Sequence, residues 1–229
     1  MQTRKGILAE MSERNFDLIV FDWDGTLMDS TALIVESIQL ACADIGVAIP
    51  SRERAAHVIG LSLLGAVQSV APDLDEASCQ RLAERYRYHY LARDHETVLF
   101  EGIRELLEDL RAQGYLLAVA TGKARRGLDR VLAQSGLAPL FHASRCADES
   151  FSKPHPGMLL ELTEQLLVAP ERALMIGDTT HDLLMARNAG TAALGMTYGA
   201  HPAEGLATAQ SLALLGSVAE LRDWLTCNG

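Results

Sequence analysis

Short apolar runs that end on polar residues alternate with helical periodicities along most of this chain, and that alternation restricts the fold more than any other feature. Residues 16–22, 115–121 and 173–177 are near-continuous hydrophobic stretches bounded by Gly and polar residues; 192–196 and 212–215 are weaker versions. Strands without a polar residue at every second position are buried on both faces, as in a parallel sheet covered by helices on both sides. Between them Ile103, Leu106, Leu107 and Leu110 recur at helical spacing, and Gly114 supplies a stop. The expectation is a doubly wound α/β domain with a mainly parallel sheet.

Residues 30–99 break the pattern. They carry helical periodicities at 32–45 and 76–93, punctuation at Pro50, Gly60 and Pro72, and no convincing strand. About seventy residues is too long for a loop inside a compact domain. The division predicted is therefore a core made of 1–29 and 100–229, with 30–99 inserted after the first strand as a helical domain.

The net charge of −10 argues against a phosphate-backbone ligand, since nucleic-acid binding needs clustered Lys and Arg and this chain has only three lysines, Lys5, Lys123 and Lys153. Cys42, Cys79, Cys146 and Cys227 lack CxxC spacing and read as reduced thiols. The first fifteen residues lack the apolar segment of a signal peptide, and Met11 is an alternative start. No run approaches the ~18 apolar residues of a membrane span. These features predict a cytoplasmic protein without nucleic-acid or membrane partners, either monomer or homodimer.

The chemistry concentrates where strands end. Residues 16–22 run into Asp22-Trp23-Asp24-Gly25-Thr26-Leu27, so two carboxylates start on one side of an extended backbone, just before a glycine turn. Like charges this close repel unless a cation neutralises them or they share a proton. Thr121-Gly122-Lys123 follows the second strand, Lys153-Pro154-His155-Pro156-Gly157 opens a helical pattern, and Gly177-Asp178-Thr179-Thr180-His181-Asp182 follows the third strand. The carboxyl ends of strands in an open α/β sheet face one crevice. Asp22, Asp24, Thr121, Asp178 and Asp182 are expected there together, with Lys153 near.

DxDGT, a strand-end Thr, a Lys-Pro and GDxxxD, in that order, resemble the haloacid dehalogenase superfamily of phosphohydrolases over nearly the whole chain. The wording and the helical insertion, similar to that superfamily's first class of cap domain, are closest to the phosphoglycolate phosphatase-like branch. The resemblance implies a phosphatase of small phosphorylated metabolites in which Asp22 attacks phosphorus and forms an aspartyl-phosphate, while Asp24 protonates the leaving alkoxide and later deprotonates water. It implies Mg²⁺ held by Asp22, the backbone carbonyl of Asp24, and Asp178. Thr121 and the Gly122 N–H then bind phosphoryl oxygens, Lys153 supplies a positive charge, and Asp182 orients water on the cation or pairs with Lys153.

Blander roles compete at several positions. Thr121 and Asp178 could cap helices, and Lys123 either reaches substrate or, more simply, solvates a helix start. His155, His181 and His201 lack ligand spacing. Trp23 is expected on the side opposite the carboxylates, in packing or in a contact to the cap or substrate entrance, and Tyr86 and Tyr90 read as core of the insertion. The segment 59–62 is a candidate substrate contact on resemblance alone. A β-phosphoglucomutase-like mutase and a catalytically silent binding or regulatory member remain as alternatives, Thr26 mildly favouring hydrolysis. Phosphonoacetaldehyde hydrolase chemistry is excluded, because no lysine lies between Lys5 and Lys123 and Asp24 is present. Dehalogenation fails on Asp24 as well.

Overall fold

The structure, a computed structural model, describes residues 14–229. Lys5 and Met11 lie outside the described residues. In chain order the elements are β1 (Leu18–Phe21), β2 (Met28–Asp29), α1 (Thr31–Asp44), α2 (Arg52–His57), α3 (Leu63–Val70), α4 (Glu76–Arg93), β3 (Val98–Leu99), α5 (Ile103–Ala112) and β4 (Leu116–Thr121). They continue as α6 (Arg125–Ser135), β5 (Ala143–Cys146), α7 (Gly157–Leu166), β6 (Ala173–Gly177), α8 (Thr180–Ala189), β7 (Ala192–Met196), α9 (Ala203–Leu206), β8 (Ala213–Leu215) and α10 (Val218–Asn228).

Six parallel strands form one sheet in the order β5-β4-β1-β6-β7-β8. Side chains alternate across it because successive Cβ atoms of a strand point to opposite faces. Ile19 and Phe21 of β1, Val119 of β4 and Ile176 of β6 join α5, α6 and α10 in one apolar cluster. Leu18 and Val20, with Ala118 and Met175, join α7, α8 and α9 in the other. This is the doubly wound α/β fold, and the fully buried Leu-Ile-Val-Phe of β1 is its central strand. Gly114, with φ +84, stands just past the end of α5, in a left-handed conformation that glycine adopts freely.

β6, β7 and α4 have the expected bounds, and β4 and β8 each start one residue later than expected. The edge strand β5 was not expected. Its sequence Ala-Ser-Arg-Cys has no apolar run, since an edge position needs burial on fewer sides. The second departure is a two-stranded antiparallel ladder, Met28↔Leu99 and Asp29↔Val98, whose strand β3 falls inside the segment read as strandless. At two residues per strand it leaves no periodicity to read. It lies where the chain leaves the sheet domain and returns, and Phe100 N–H adds a hydrogen bond to the Leu27 carbonyl (3.1 Å).

Between the two strands of that ladder, α1 to α4 enclose an apolar cluster of their own. Leu33, Ile34 and Ile38 of α1 meet Val67 and Val70 of α3 and Leu82 of α4. Ser51, Ser62 and Asp75 each cap the following helix by accepting from its backbone N–H. The cysteines are free, three buried and Cys227 exposed. Among the described residues no helix is long and apolar enough to cross a membrane.

Candidate active site

Three adjacent strands, β4, β1 and β6, end side by side and bring Thr121, Asp22 and Asp178 to the same edge of the sheet. Asp22 N–H donates to the Ile176 carbonyl (2.9 Å), which ties the first residue after β1 to the neighbouring strand. The chain then turns sharply. The N–H groups of Leu27 and Met28 both donate to the Trp23 carbonyl at 3.0 Å, and Gly25 takes φ +81. A Cβ at Gly25 would stand 2.2 Å from Asp178 Oδ2, so both the backbone angle and the space demand glycine. Trp23 is fully buried in the core beneath, the packing role expected of it.

Asp22 and Asp24 enter different environments. Lys153 Nζ lies 2.8 Å from Asp22 Oδ1 and 2.6 Å from Asp182 Oδ1, and all three side chains are buried. Asp22 Oδ2 is buried with no hydrogen-bond partner. Burial pushes the Asp22 carboxyl well above the usual carboxylate range; Lys153 opposes this, while Asp182 and Asp178 add to it. For Lys153 itself burial favours the neutral form, but Asp182 and Asp22 outweigh that and hold the ammonium above its ordinary value.

Asp178 accepts from Thr26 Oγ1 (2.6 Å) and from the Ala200 N–H (2.7 Å). Its carboxyl is pushed up to about 7, by burial first and by Asp182 second. The cap of α8 is Thr179 rather than Asp178: Thr179 Oγ1 accepts from the Asp182 N–H (3.3 Å), and Asp182 Oδ2 accepts from Thr179 N–H (3.1 Å) and from its hydroxyl (2.7 Å). Asp182 thus spends one oxygen on the helix start and the other on Lys153. The capping alternative for Thr121 also lapses, since α6 starts after Ala124. Thr121 Oγ1 instead accepts from the Lys123 N–H (3.2 Å).

One oxygen from each of Asp22, Asp178 and Asp182 lies within 4.8 Å of the others. Three buried carboxylates face a single ammonium, so negative charge is left unbalanced in a region of low dielectric, where unpaired charge is costly. The all-oxygen donor set and the unpartnered Asp22 Oδ2 fit a small hard divalent cation.

Asp24 accepts from Ser30 Oγ at 2.7 Å and pairs with Lys123 Nζ at 3.0 Å, both through Oδ1. Lys123 also donates to the Tyr90 hydroxyl (3.1 Å) and lies 4.8 Å from the centre of that ring. Burial alone would lower the Lys123 ammonium; Asp24, then Tyr90 and Tyr86, hold it above its ordinary value. The expectation that Lys123 merely solvates a helix start is therefore wrong: its ammonium is enclosed between the strand ends and α4. Tyr86 and Tyr90, stacked at 5.8 Å, are likewise more than core, because both face this region.

The carboxylate pair opens into a cavity of about 870 Å³. Asp22, Asp24, Gly122 and Lys123 form its end at the sheet, and α1, α3 and α4 form its walls. Residues 59–62 line it too, as expected. The approach is tight: a Cβ on Gly122 would meet the Leu61 carbonyl oxygen at 2.5 Å and that of Gly60 at 2.6 Å. Thr121, Lys153, Asp178 and Asp182 do not line the cavity.

The histidines separate. His155 is exposed, accepts from the Gly157 N–H (3.1 Å) and packs on Phe151. His181 and His201 gather with His57 of α2, with ring centres 4.7–5.5 Å apart. The Nε2 atoms of His181 and His201 both bond the His57 carbonyl, at 2.9 and 3.1 Å. Ser30, Thr26, Thr179 and Lys123 are the site residues that spacing alone did not single out. Thr26, Thr179 and Lys123 stand inside the motif wording, which did not reveal that Thr26 bonds Asp178, that Thr179 caps α8 or where α4 lies.

Comparison with known proteins agrees with this geometry. The family model described as "Haloacid dehalogenase-like hydrolase" matches residues 19–196. "Probable phosphatase IndB" of Dickeya dadantii (strain 3937) is 35% identical over 210 residues, spanning 89% of this chain and 91% of that protein. A phosphoglycolate phosphatase of Vibrio parahaemolyticus serotype O3:K6 (strain RIMD 2210633) is 30% identical over 221 residues, 92% of this chain and 96% of its own. The crystal structure of a predicted phosphoglycolate phosphatase from Haemophilus somnus 129pt superposes with a TM-score of 0.83 at 27% identity, covering 92% of this chain and 98% of that one.

Proposed function

The chain belongs to the haloacid dehalogenase-like hydrolase family, and from that premise we propose that it is a Mg²⁺-dependent phosphatase of small phosphorylated metabolites, working through an aspartyl-phosphate on Asp22. The observation that carries the reading is the inequality of two neighbouring carboxylates at one end of a cavity. Asp22 is buried against Lys153 with one oxygen unpartnered, whereas Asp24 is held by Ser30 and Lys123. Residues 30–99 serve as the cap over the core of 1–29 and 100–229.

In the first half-reaction a carboxylate oxygen of Asp22 bonds to phosphorus as the bond from phosphorus to the ester oxygen breaks, and Asp24 gives a proton to the departing alkoxide. In the second, Asp24 takes a proton from water while that water's oxygen bonds to phosphorus. The Asp22–phosphorus link then breaks, inorganic phosphate leaves, and the carboxylate is restored. Lys153 offsets charge on Asp22 and the phosphoryl group, and Asp182 holds Lys153 in place. Thr121 and the Gly122 N–H bind phosphoryl oxygens. Asp22, Asp178 and the Asp24 carbonyl would hold a divalent cation, which when bound would neutralise phosphoryl charge.

Radiolabelled acetyl phosphate tests the covalent step by acid quench. Label is expected on the wild-type chain and not on Asp22→Asn. Hydrolysis of p-nitrophenyl phosphate should vanish with EDTA and return with Mg²⁺; absence of metal-dependent turnover under any condition overturns the reading.

A further inference from the structure

The cavity beyond Asp22 and Asp24 is much larger than a short hydroxy acid requires, and most of its lining is apolar. At about 870 Å³ it is near the upper end of small-molecule sites. Asp22, Asp24, Gly122 and Lys123 stand at the sheet end, and α4 contributes Tyr86, Arg87 and Tyr90 to a lining that is otherwise mostly apolar. The helical walls include Ile38 and Ala41 of α1, Val67 and Val70 of α3, and Leu82 of α4, none of which offers a side-chain donor or acceptor.

Two of the four positive charges on the lining are already engaged. Lys123 is engaged by Asp24, and Arg130 lies 3.1 Å from Asp94. Arg87 and Arg126 also line the cavity, at its exposed side, and make no ion pair among the described residues. A carboxylate on a short leaving group would stand near Asp22 and Asp24 with its counter-charge already shared. A sugar pushed further in would leave hydroxyls unpaired, each weakening binding roughly tenfold.

We infer that the substrate of this site is the phosphomonoester of a bulky, predominantly apolar alcohol, whose body fills the space among α1, α3 and α4 while its phosphate meets Asp22. This rests on the phosphatase reading above and narrows its substrate class. The five wall residues named are then specificity-determining: they select by burying apolar surface and by offering nothing to a hydroxyl or carboxylate. Transfer of each methylene from water into such a space is worth roughly fourfold in binding.

The test uses straight-chain alkyl phosphates from methyl to octyl, together with cyclohexylmethyl phosphate, 2-phosphoglycolate and glucose 6-phosphate. Alkyl esters keep the acidity of the leaving alcohol nearly constant, so chain length reports on the cavity rather than on leaving-group chemistry. The wild-type chain with Mg²⁺ should show kcat/KM rising by roughly fourfold per methylene until the space is filled, with hexyl above 2-phosphoglycolate by at least an order of magnitude. A flat series, or 2-phosphoglycolate or glucose 6-phosphate above every alkyl ester, overturns the inference while leaving the phosphatase reading intact.

Calorimetry with methyl- and hexylphosphonate separates the two readings, since these ligands are not hydrolysed. Tighter binding of the hexyl compound with a more negative heat-capacity change supports the apolar site, even if no ester is turned over and the phosphatase reading fails. Equal binding of the two overturns it. In Val67→Phe, which fills the wall, the hexyl-to-methyl ratio of kcat/KM should collapse toward one; an unchanged ratio in a folded variant counts against the assignment. The calorimetric arm on the wild type does not depend on that variant folding.

Discussion

Lys123 holds Asp24 at 3.0 Å while donating to the Tyr90 hydroxyl at 3.1 Å, so one ammonium joins the end of β4, the turn after β1 and helix α4. Removing it strands a nearly buried carboxylate. Lys123→Met is expected to lower stability by about 3 kcal/mol, read as a fall in the urea midpoint at unchanged m. Tyr90→Phe loses one hydrogen bond and should cost about 1 kcal/mol. Equal effects of the two would mean that the Asp24 pairing contributes nothing beyond the tyrosine contact.

Asp22 is expected to trade stability for chemistry. Asp22→Asn should reduce turnover by about four orders of magnitude or more, yet without added cation its melting temperature should equal or exceed that of the wild type. The amide removes one of three clustered buried carboxylates, two of which pair with the same lysine. Mg²⁺ at a hundredfold excess over its dissociation constant should stabilise the wild type by about 2.7 kcal/mol and the variant by much less. Identical Mg²⁺ shifts in the two would remove Asp22 from the cation site.

Lys153 sits between two carboxylates with no exposed side-chain surface. Lys153→Met should therefore be among the most damaging single changes, about 3–5 kcal/mol in stability alongside loss of turnover. Arginine is not a substitute, because its planar fork does not fit a space shaped for a compact ammonium. Recovery of activity in Lys153→Arg would show that only charge matters there.

His201 gives a pH signature. Burial first, then His181 and His57, pushes its imidazole down to about 4. Between that value and the ordinary ~6.5, the unfolded chain binds a proton that the folded chain does not. Stability from this group is fully present above ~6.5 and falls as pH drops toward 4, by roughly 2–4 kcal/mol. Asp178, pushed up to about 7, works in the opposite sense: its folded form takes a proton first, so it favours folding as pH falls below 7. The observable is thus a difference. Chemical unfolding at pH 7.5 and 5.0 should show wild type losing stability relative to His201→Gln on acidification, and parallel pH profiles would exclude the assignment.

What could be read from residues alone follows a physical boundary. Strand ends of a parallel sheet converge by geometry, so Asp22, Thr121 and Asp178 could be brought together once β1, β4 and β6 were recognised. Lys153 was expected near them, its pairing with Asp182 from the resemblance; periodicity alone could not give its reach, because the loop before α7 has no period to read. The enclosure of Lys123 depends on where α4 packs, and the grouping of His57 with His181 and His201 joins residues far apart in sequence. Local chemistry locates a group on an element. It does not say what the rest of the chain lays over it.

The ladder of Met28 with Leu99 and Asp29 with Val98 makes the four-helix segment nearly invisible to the sheet. Departure and return are fastened to each other, so the intervening chain behaves as a loop whose ends are already closed. Closure entropy grows only with the logarithm of loop length, and shortening or replacing that segment leaves every hydrogen bond of the parallel sheet in place. The molecule is in this sense a graft with its suture at residues 28–29 and 98–99: a different helical piece with ends a strand's width apart can be spliced in, and the chemistry of Asp22 would acquire a new clientele without being rebuilt.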